Sequence, residues 1–116
     1  MSPWLWIAVA VLALLGIQHF WRRKQMCSLE TFQQLRAEGA QLVDCRSEAE
    51  FRSGHAQETM NIPVDQLSAR LQELDPKRPV VLCCASGARA QWAAGFLRSQ
   101  GFSRVENMGP WQRLAG

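Results

Sequence analysis

The run VVLCCASGARAQWAAGF, at residues 80–96, contains the side chains with the clearest potential for chemistry. Two cysteines end a stretch of strand-forming residues, Gly87 follows, and Arg89 opens a run typical of a helix. Backbone N–H groups at the start of a helix have no partner within the helix and point toward incoming anions. Such surroundings favour the thiolate of a cysteine, which is its nucleophilic form. The pattern therefore makes Cys84 a candidate nucleophile.

The segment that follows Cys84 contains three residues that suit an anion-binding loop: Ser86, Gly87 and Arg89. Gly87 can adopt the backbone conformations that turn successive amides inward, as an anion nest requires. Arg89, one turn into the predicted helix, adds a fixed positive charge with several donors. Ser86 can donate to a bound anion or cap the helix, and the two roles are compatible.

The other three cysteines have a weaker case for chemistry. Successive strand residues face opposite sides, so Cys83 is expected to point away from Cys84. We interpret Cys83 and Cys45 as small buried apolar residues, and Cys27 as a thiol beside the predicted membrane segment. The cysteines form no C-x-x-C pair and no histidine lies at zinc-finger spacing, so no metal site is predicted. A vicinal-thiol redox sensor is a minor alternative.

Patterns typical of helices and strands alternate along the chain. Helices are predicted over residues 28–39, 65–74 and 88–100 and a single turn over 47–54, and strands over 41–46, 79–84 and, more weakly, 103–108. This alternation indicates an α/β domain with a small, mostly parallel sheet flanked by helices. Because ligands bind beyond the carboxyl ends of such strands, Cys84 lies where a site is expected.

The N-terminal segment is strongly apolar. Residues 2–20 contain no Lys, Arg, Asp or Glu, and tryptophans lie near both ends, at positions 4, 6 and 21. A helix of about 19 residues is about 28 Å long, which is enough to cross a bilayer core. We therefore predict one transmembrane helix, with residues 1–24 as an anchor with a basic flank and residues 25–116 as the folded domain. A cleaved signal peptide and a buried core helix are the alternatives.

The charges support this division. Arg22, Arg23 and Lys24 follow the apolar run, and without them the basic and acidic residues number ten each. By the positive-inside rule this triad stays in the cytoplasm, so a single-pass protein with a cytoplasmic domain is expected, typical of a bacterial inner membrane. Residues 3–24 are expected to contact lipid. No excess basic charge remains for a nucleic-acid partner.

From about Leu29 to its end, the chain resembles a single-domain rhodanese. CASGAR matches the six-residue active-site loop of that family, and GF..V near residue 101 matches the segment before its last strand. The D-x-R, E-(F/Y), G-H and N-x-P landmarks correspond to Asp44, Arg46, Glu50, Phe51, Gly54, His55, Asn61 and Pro63. The resemblance implies a rhodanese-like fold.

The resemblance also implies a sulfurtransferase. In such an enzyme the Cys84 thiolate takes the outer sulfur of thiosulfate or a persulfide donor and becomes a persulfide. A thiol or protein-cysteine acceptor then removes that sulfur, so ping-pong kinetics are expected. No cofactor is implied. The substrate would be held by the rest of the loop: Ala85, Ser86, Gly87, Ala88 and Arg89.

Asp44, Arg46 and His55 are expected near this site. Each can support the pocket, although an ion pair between the first two and a structural hydrogen bond from His55 are the favoured roles. The chain also departs from the family pattern. Ala85 replaces a frequent arginine, which predicts weak thiosulfate binding and a preference for persulfide donors. Gln57-Glu58 replaces a Pro-Gly turn, and Gly109-Pro110 replaces Gly-Gly.

Two other functions compete with sulfur transfer. A cysteine phosphatase has five residues between its cysteine and arginine, whereas four separate Cys84 from Arg89, so the loop here is narrower. A catalytically weak rhodanese-like module that binds or senses sulfur at the membrane is the more serious alternative.

Overall fold

The chain's structure is a computed structural model, which describes residues 2–24 and 26–115. Its central feature is a four-stranded sheet in the order β2-β1-β3-β4. The strands are β1 (Gln41–Asp44), β2 (Met60–Asn61), β3 (Val80–Cys84) and β4 (Val105–Pro110). All three neighbouring pairs are parallel. The α/β prediction is therefore confirmed, and the weakly predicted last strand is present, ending two residues later than expected.

Four helices accompany the sheet: α1 (Pro3–Lys24), α2 (Leu29–Ala37), α3 (Glu48–Ser53) and α4 (Ala88–Ser99). Ser28 caps α2 by accepting the Thr31 N–H. Ser47 and Glu50 form a reciprocal capping box on α3. Such a box satisfies two otherwise unpartnered backbone donors, which explains how a six-residue helix is held.

The two faces of the sheet are covered by separate apolar clusters. Alternate residues of β3 point to opposite faces, so Leu82 and Cys84 pack on the α4 side while Val81 and Cys83 pack on the α2 side. All five residues of β3 are buried. The buried central strand therefore places Cys84 at the carboxyl end of the sheet, with its side chain on the α4 side. Cys83 lies on the opposite face, as predicted.

The segment between β2 and β3 differs from its prediction as one helix. It forms two short 3₁₀ helices, Val64–Gln66 and Leu71–Glu73, separated by turns. Leu67 and Leu74 are nevertheless buried in the α4-side cluster. A 3₁₀ helix rises about 2.0 Å per residue rather than 1.5 Å, so the same residues reach further along the sheet. The prediction of a single helix over residues 65–74 was therefore wrong.

The first helix has a different character from the rest. Residues 3–20 have a mean hydropathy of 1.7 and none of that window is buried. The helix is long and apolar enough to cross a membrane, and a signal sequence near an N-terminus has the same length and composition.

Candidate active site

Cys84 ends β3 and lies at the carboxyl edge of the sheet. Its Sγ accepts a hydrogen bond from the Gly87 backbone N–H at 2.9 Å. Gly87 has a φ of 102°, a left-handed conformation that favours glycine, and it immediately precedes α4. The turn thus aims a free amide of the helix start at the sulfur, as the sequence predicted for Gly87.

The loop around this sulfur is small and uncharged. Ala85, Ser86 and Ala88 are exposed, whereas Cys84 and Gly87 are buried. Because Cys84 has no exposed surface (0%), a donor reaches its sulfur only when the atoms that cover it move. Ala85 contributes no side-chain donor to an incoming anion.

Arg89 is held by a partner that the sequence did not pair with it. Its Nη1 donates to Glu50 Oε1 at 2.7 Å and its Nη2 donates to Glu50 Oε2 at 3.1 Å. Both side chains are partly exposed. The guanidinium therefore lies in a bidentate ion pair beside the loop rather than free above it.

Glu50 is itself fixed by the start of α3. Its Oε1 accepts from the Ser47 N–H at 3.2 Å and from the Ser47 hydroxyl at 3.1 Å. The hydrogen bond from Arg89, followed by that from the Ser47 backbone, lowers the pKa of Glu50 to about 2. The carboxylate is thus ionised at neutral pH.

Asp44 and Arg46 form a buried ion pair below the loop. The Arg46 side chain donates to both Asp44 carboxylate oxygens, at 2.8 and 3.0 Å, and its Nη2 also donates to the Gly54 carbonyl at 2.7 Å. The Trp111 ring stacks on the guanidinium at 4.6 Å. The charges of Asp44 and Arg46 compensate each other. Because Arg46 also binds the carbonyl of Gly54, which follows α3, the pair connects α3 to the end of β1.

Asn107 is a site residue that the sequence analysis missed. A register shift between Leu82 and Cys83 places β4 so that Asn107 lies beside the loop. Its Nδ2 donates to the Gly87 carbonyl at 3.0 Å, and its Oδ1 accepts the Gly109 N–H at 2.8 Å. The buried carboxamide thereby braces the turn that presents the Gly87 amide. No local sequence pattern marks such a bulge.

Met26 is a second missed residue. Its side chain covers the glycines of the loop and of β4, since a Cβ at Gly109 would lie 2.8 Å from Met26 Sδ. The next residue, Cys27, donates its N–H to the Asn107 carbonyl at 2.7 Å. The segment that follows α1 is therefore packed directly against the Cys84 loop.

The remaining thiols are buried and protonated at neutral pH. Desolvation, reinforced by the nearby Cys84 and Asp44, raises the pKa of Cys45 to about 12. Burial also raises the pKa of Cys83 and of Cys27. Since the thiolate is the reactive form, these three cysteines have the properties of buried apolar residues.

His55 and Trp92 each stack on a neighbouring aromatic ring. His55 Nδ1 is 2.8 Å from the Phe51 carbonyl, and its ring stacks on Phe51 with centroids 3.8 Å apart. Trp92 is 58% exposed, stacks on the partly buried Phe96 and lines a cavity together with Ser86, Gly87 and Ala88 of the loop.

The turn that lacks Pro-Gly retains an unusual backbone. Glu58 has a φ of 64°, the left-handed region that glycine favours. Within residues 2–24 and 26–115, no cluster of three or more His, Cys, Asp or Glu side chains could hold a metal ion.

The chain is similar in sequence to several bacterial proteins, two of which are named sulfurtransferases. A "Sulfurtransferase" of Allochromatium vinosum is 37% identical over 58% of this chain and 63% of its own length. "Thiosulfate sulfurtransferase GlpE" of Pseudomonas syringae is 37% identical over 66% of this chain and 72% of its own length. The chain spans 55% of a further relative, YqhL of Bacillus subtilis, at 39% identity.

Solved structures have the same fold. The human single-domain sulfurtransferase TSTD1 is 28% identical, with a TM-score of 0.63 over 77% of this chain and 93% of that one. The Bacillus anthracis CoADR-RHD structure is 27% identical, with a TM-score of 0.67 over 79% of this chain and 16% of that one. The family model of the rhodanese-like domain matches residues 28–109. Since that match takes in the sheet, the Cys84 loop and most of the chain, the chain belongs to the rhodanese-like family.

Proposed function

We propose that this chain is a sulfurtransferase that carries a sulfane sulfur on Cys84. The donor is thiosulfate or a persulfide, and the acceptor is a thiol or a protein cysteine. The observation that carries the proposal is the Cys84 Sγ, which accepts the Gly87 N–H at 2.9 Å at the carboxyl end of the central strand. An oriented amide at a helix start stabilises negative charge on that sulfur in the thiolate.

The first half-reaction forms one S–S bond and breaks another. The Cys84 thiolate attacks the outer sulfur of thiosulfate, the bond from that sulfur to the sulfonate sulfur breaks, and sulfite leaves with the bonding electrons. Cys84 is left as a persulfide anion. In the attacking thiolate the charge is on Cys84 Sγ, to which the Gly87 amide donates, and Asn107 holds the turn that aims this amide.

The second half-reaction returns the enzyme to its thiolate. An acceptor thiolate attacks the outer sulfur of the Cys84 persulfide, and the bond to Cys84 Sγ breaks with its electrons remaining on Sγ. The acceptor becomes a persulfide. Because the buried thiols of Cys45 and Cys83 are protonated, they do not compete as acceptors within the chain.

A binding or sulfur-sensing module is the second candidate. It is favoured by the complete burial of Cys84 and by the absence of a charged side chain at Ala85. Such a module would hold sulfur without passing it on rapidly. The two candidates differ in turnover, not in fold.

The intact mass of the full chain tests the proposal. The protein in a non-ionic detergent is incubated with thiosulfate, and separately with a persulfide, and compared with Cys84→Ser. We expect the mass of one sulfur atom to be gained by the wild type alone, and to be lost again on adding a thiol. A gain that persists through the thiol step favours the sensing module, and no gain with any donor contradicts both.

We further propose that α1 is a membrane anchor that holds the domain on the cytoplasmic side. Its exposed apolar length and the basic triad that follows support this orientation. In cell fractionation the uncut chain should remain in membranes after an alkaline wash and leave them in detergent. Recovery of a shorter chain that lacks α1 would instead identify a cleaved signal sequence.

A further inference from the structure

The two arginines nearest the Cys84 loop are both occupied. Arg89 is paired with Glu50 through two hydrogen bonds, and Arg46 is paired with Asp44 in the buried interior. The first loop position after the nucleophile is Ala85, which is exposed and uncharged. A dianionic donor such as thiosulfate therefore meets no uncommitted cation on these residues.

The Glu50–Arg89 pair is built to persist. Glu50 is anchored by Ser47 in the capping box of α3, and Arg89 lies in the first turn of α4, so two helix starts hold the partners together. The two N–O distances of 2.7 and 3.1 Å describe a parallel, bidentate geometry. Such a pair costs little side-chain entropy because each side chain is already restrained.

The groove beside this pair is acidic. It has a volume of about 310 Å³ and is lined by Cys45, Ser47, Glu48, Pro63, Val64, Asp65, Gln66 and Arg89. Glu48 and Asp65 are exposed and, among the described residues, take part in no ion pair. Arg70 interacts electrostatically with Glu48, but it forms an ion pair with Glu73, whose Oε2 lies 2.6 Å from Arg70 Nε.

The charges of Glu48 and Asp65 act on the part of a donor molecule that remains bonded to the sulfur to be transferred. Two residues that line the groove, Cys45 and Arg89, interact electrostatically with Cys84, so the groove lies beside the sulfur that a donor must reach. An anionic group of a donor at this position is repelled by Glu48 and Asp65. Arg89 cannot offset this repulsion while its own charge is neutralised by Glu50. A neutral or cationic group is not penalised.

We infer that Glu50 is a specificity-determining residue: by occupying Arg89 beside an acidic groove, it makes Cys84 prefer persulfides without an anionic group near the sulfur over anionic donors such as thiosulfate. This inference rests on the proposed sulfurtransferase function. The loading step is balanced without a further reactant. The Cys84 thiolate attacks the outer sulfur of R–S–S–H, the S–S bond breaks, R–S⁻ leaves and takes the proton of the transferred sulfur, and the Cys84–S–S⁻ anion remains.

A donor series that varies charge alone tests the inference. The persulfides of cysteamine, mercaptoethanol and 3-mercaptopropionate share a two-carbon chain and differ in carrying an ammonium, a hydroxyl or a carboxylate. Each is given to the full chain in non-ionic detergent at low salt, with thiosulfate as a fourth donor. The rate constant of sulfur gain on Cys84 is read by quenched intact mass, with Cys84→Ser subtracting sulfur bound elsewhere.

We expect the loading rate constant to fall in the order ammonium, hydroxyl, carboxylate, with about tenfold between the first and last. Glu50→Gln keeps the capping box, since glutamine accepts at the same position, but frees the charge of Arg89. In that variant the carboxylate-to-hydroxyl ratio should rise severalfold, and thiosulfate should gain most. A purely structural role for Glu50 would slow all donors equally and leave the ratios unchanged.

Glu38→Gln is the matched control. Glu38 also forms a 2.7 Å ion pair with an arginine, Arg104, but that pair lies at the opposite end of the sheet. Its donor ratios should equal those of the wild type. Equal rates for the three persulfides, or faster loading by the carboxylate, would overturn the inference while leaving the sulfurtransferase intact. Failure of every donor to load Cys84 would overturn both.

Discussion

At the scale of single residues, the chemistry depends on how Cys84 differs from three other cysteines in the same small fold. All four are buried, but Cys84 alone among them accepts a helix-start amide, at 2.9 Å, within the described residues. Desolvation dominates the other three and raises their pKa values. Position relative to one glycine turn, rather than exposure, therefore separates Cys84, the proposed nucleophile, from the other three thiols.

Arg89→Ala tests the loop at this scale. The change leaves Glu50 as an unpaired carboxylate near Cys84, so loading from the dianion thiosulfate should slow about tenfold or more. The rate of sulfur gain by intact mass is the measurement, and far-UV circular dichroism checks the fold. Arg89→Gln with Glu50→Gln removes both charges together and should recover part of the rate. Unchanged loading in Arg89→Ala would show that the guanidinium takes no part.

At the scale of elements, the loop is braced by segments distant in sequence. Asn107 in β4 holds the Gly87 carbonyl, and Met26, which follows α1, covers Gly87 and Gly109. Glu50 at the start of α3 holds Arg89 at the start of α4. The active-site turn is thus fixed from three sides by elements that meet only in the folded chain.

Gly109→Ala should loosen this arrangement. Gly109 has a φ of 81°, and its new methyl group would lie 2.8 Å from Met26 Sδ, so the free energy of unfolding should fall by about 1–2 kcal/mol. Met26→Ala in the same chain should relieve the steric part and leave the backbone part. Urea unfolding of the chain in detergent measures both changes.

Gly95→Ala is the control for Gly109→Ala. Gly95 lies within α4, its added methyl group would meet nothing within 4 Å, and its φ lies outside the left-handed range. The substitution should stabilise the helix by about 0.5–1 kcal/mol. If Gly109→Ala changed the free energy of unfolding in the same way as Gly95→Ala, the contact with Met26 would not affect stability.

The elements also show how far the sequence predicts the structure. Local patterns correctly predicted β1, β3 and the turn at Gly87, because each depends on neighbouring residues. The Glu50–Arg89 pair, separated by 39 positions, and the Asn107 brace were not predicted. Both depend on strand register and helix placement, which local periodicity does not fix.

At the scale of the whole molecule, the buried thiols link stability to pH. The pKa of Cys45 is raised from an ordinary value near 9 to about 12 in the folded chain, and that of Cys83 is raised as well. The folded state therefore keeps protons that the unfolded state releases above pH 9. The stabilisation is complete below pH 9 and is lost as the pH rises through the folded values.

Unfolding in urea at a series of alkaline pH values tests this linkage. Between pH 9 and pH 12 the free energy of unfolding should fall by about 1.4 kcal/mol per pH unit for each such thiol. Cys45→Ala should lower stability at pH 7 but make the alkaline slope shallower. The same slope in both proteins would mean that Cys45 does not contribute.

The central claim is that sulfur passes through Cys84 from donor to acceptor. Its most direct test supplies a persulfide whose outer sulfur alone is isotopically labelled, isolates the loaded full chain, adds a thiol acceptor and follows the label by mass spectrometry. We predict that the label is found first on the Cys84 peptide and then quantitatively on the acceptor, and that Cys84→Ser transfers none. Label that reached the acceptor without passing through Cys84, or that stayed on the protein, would contradict the account.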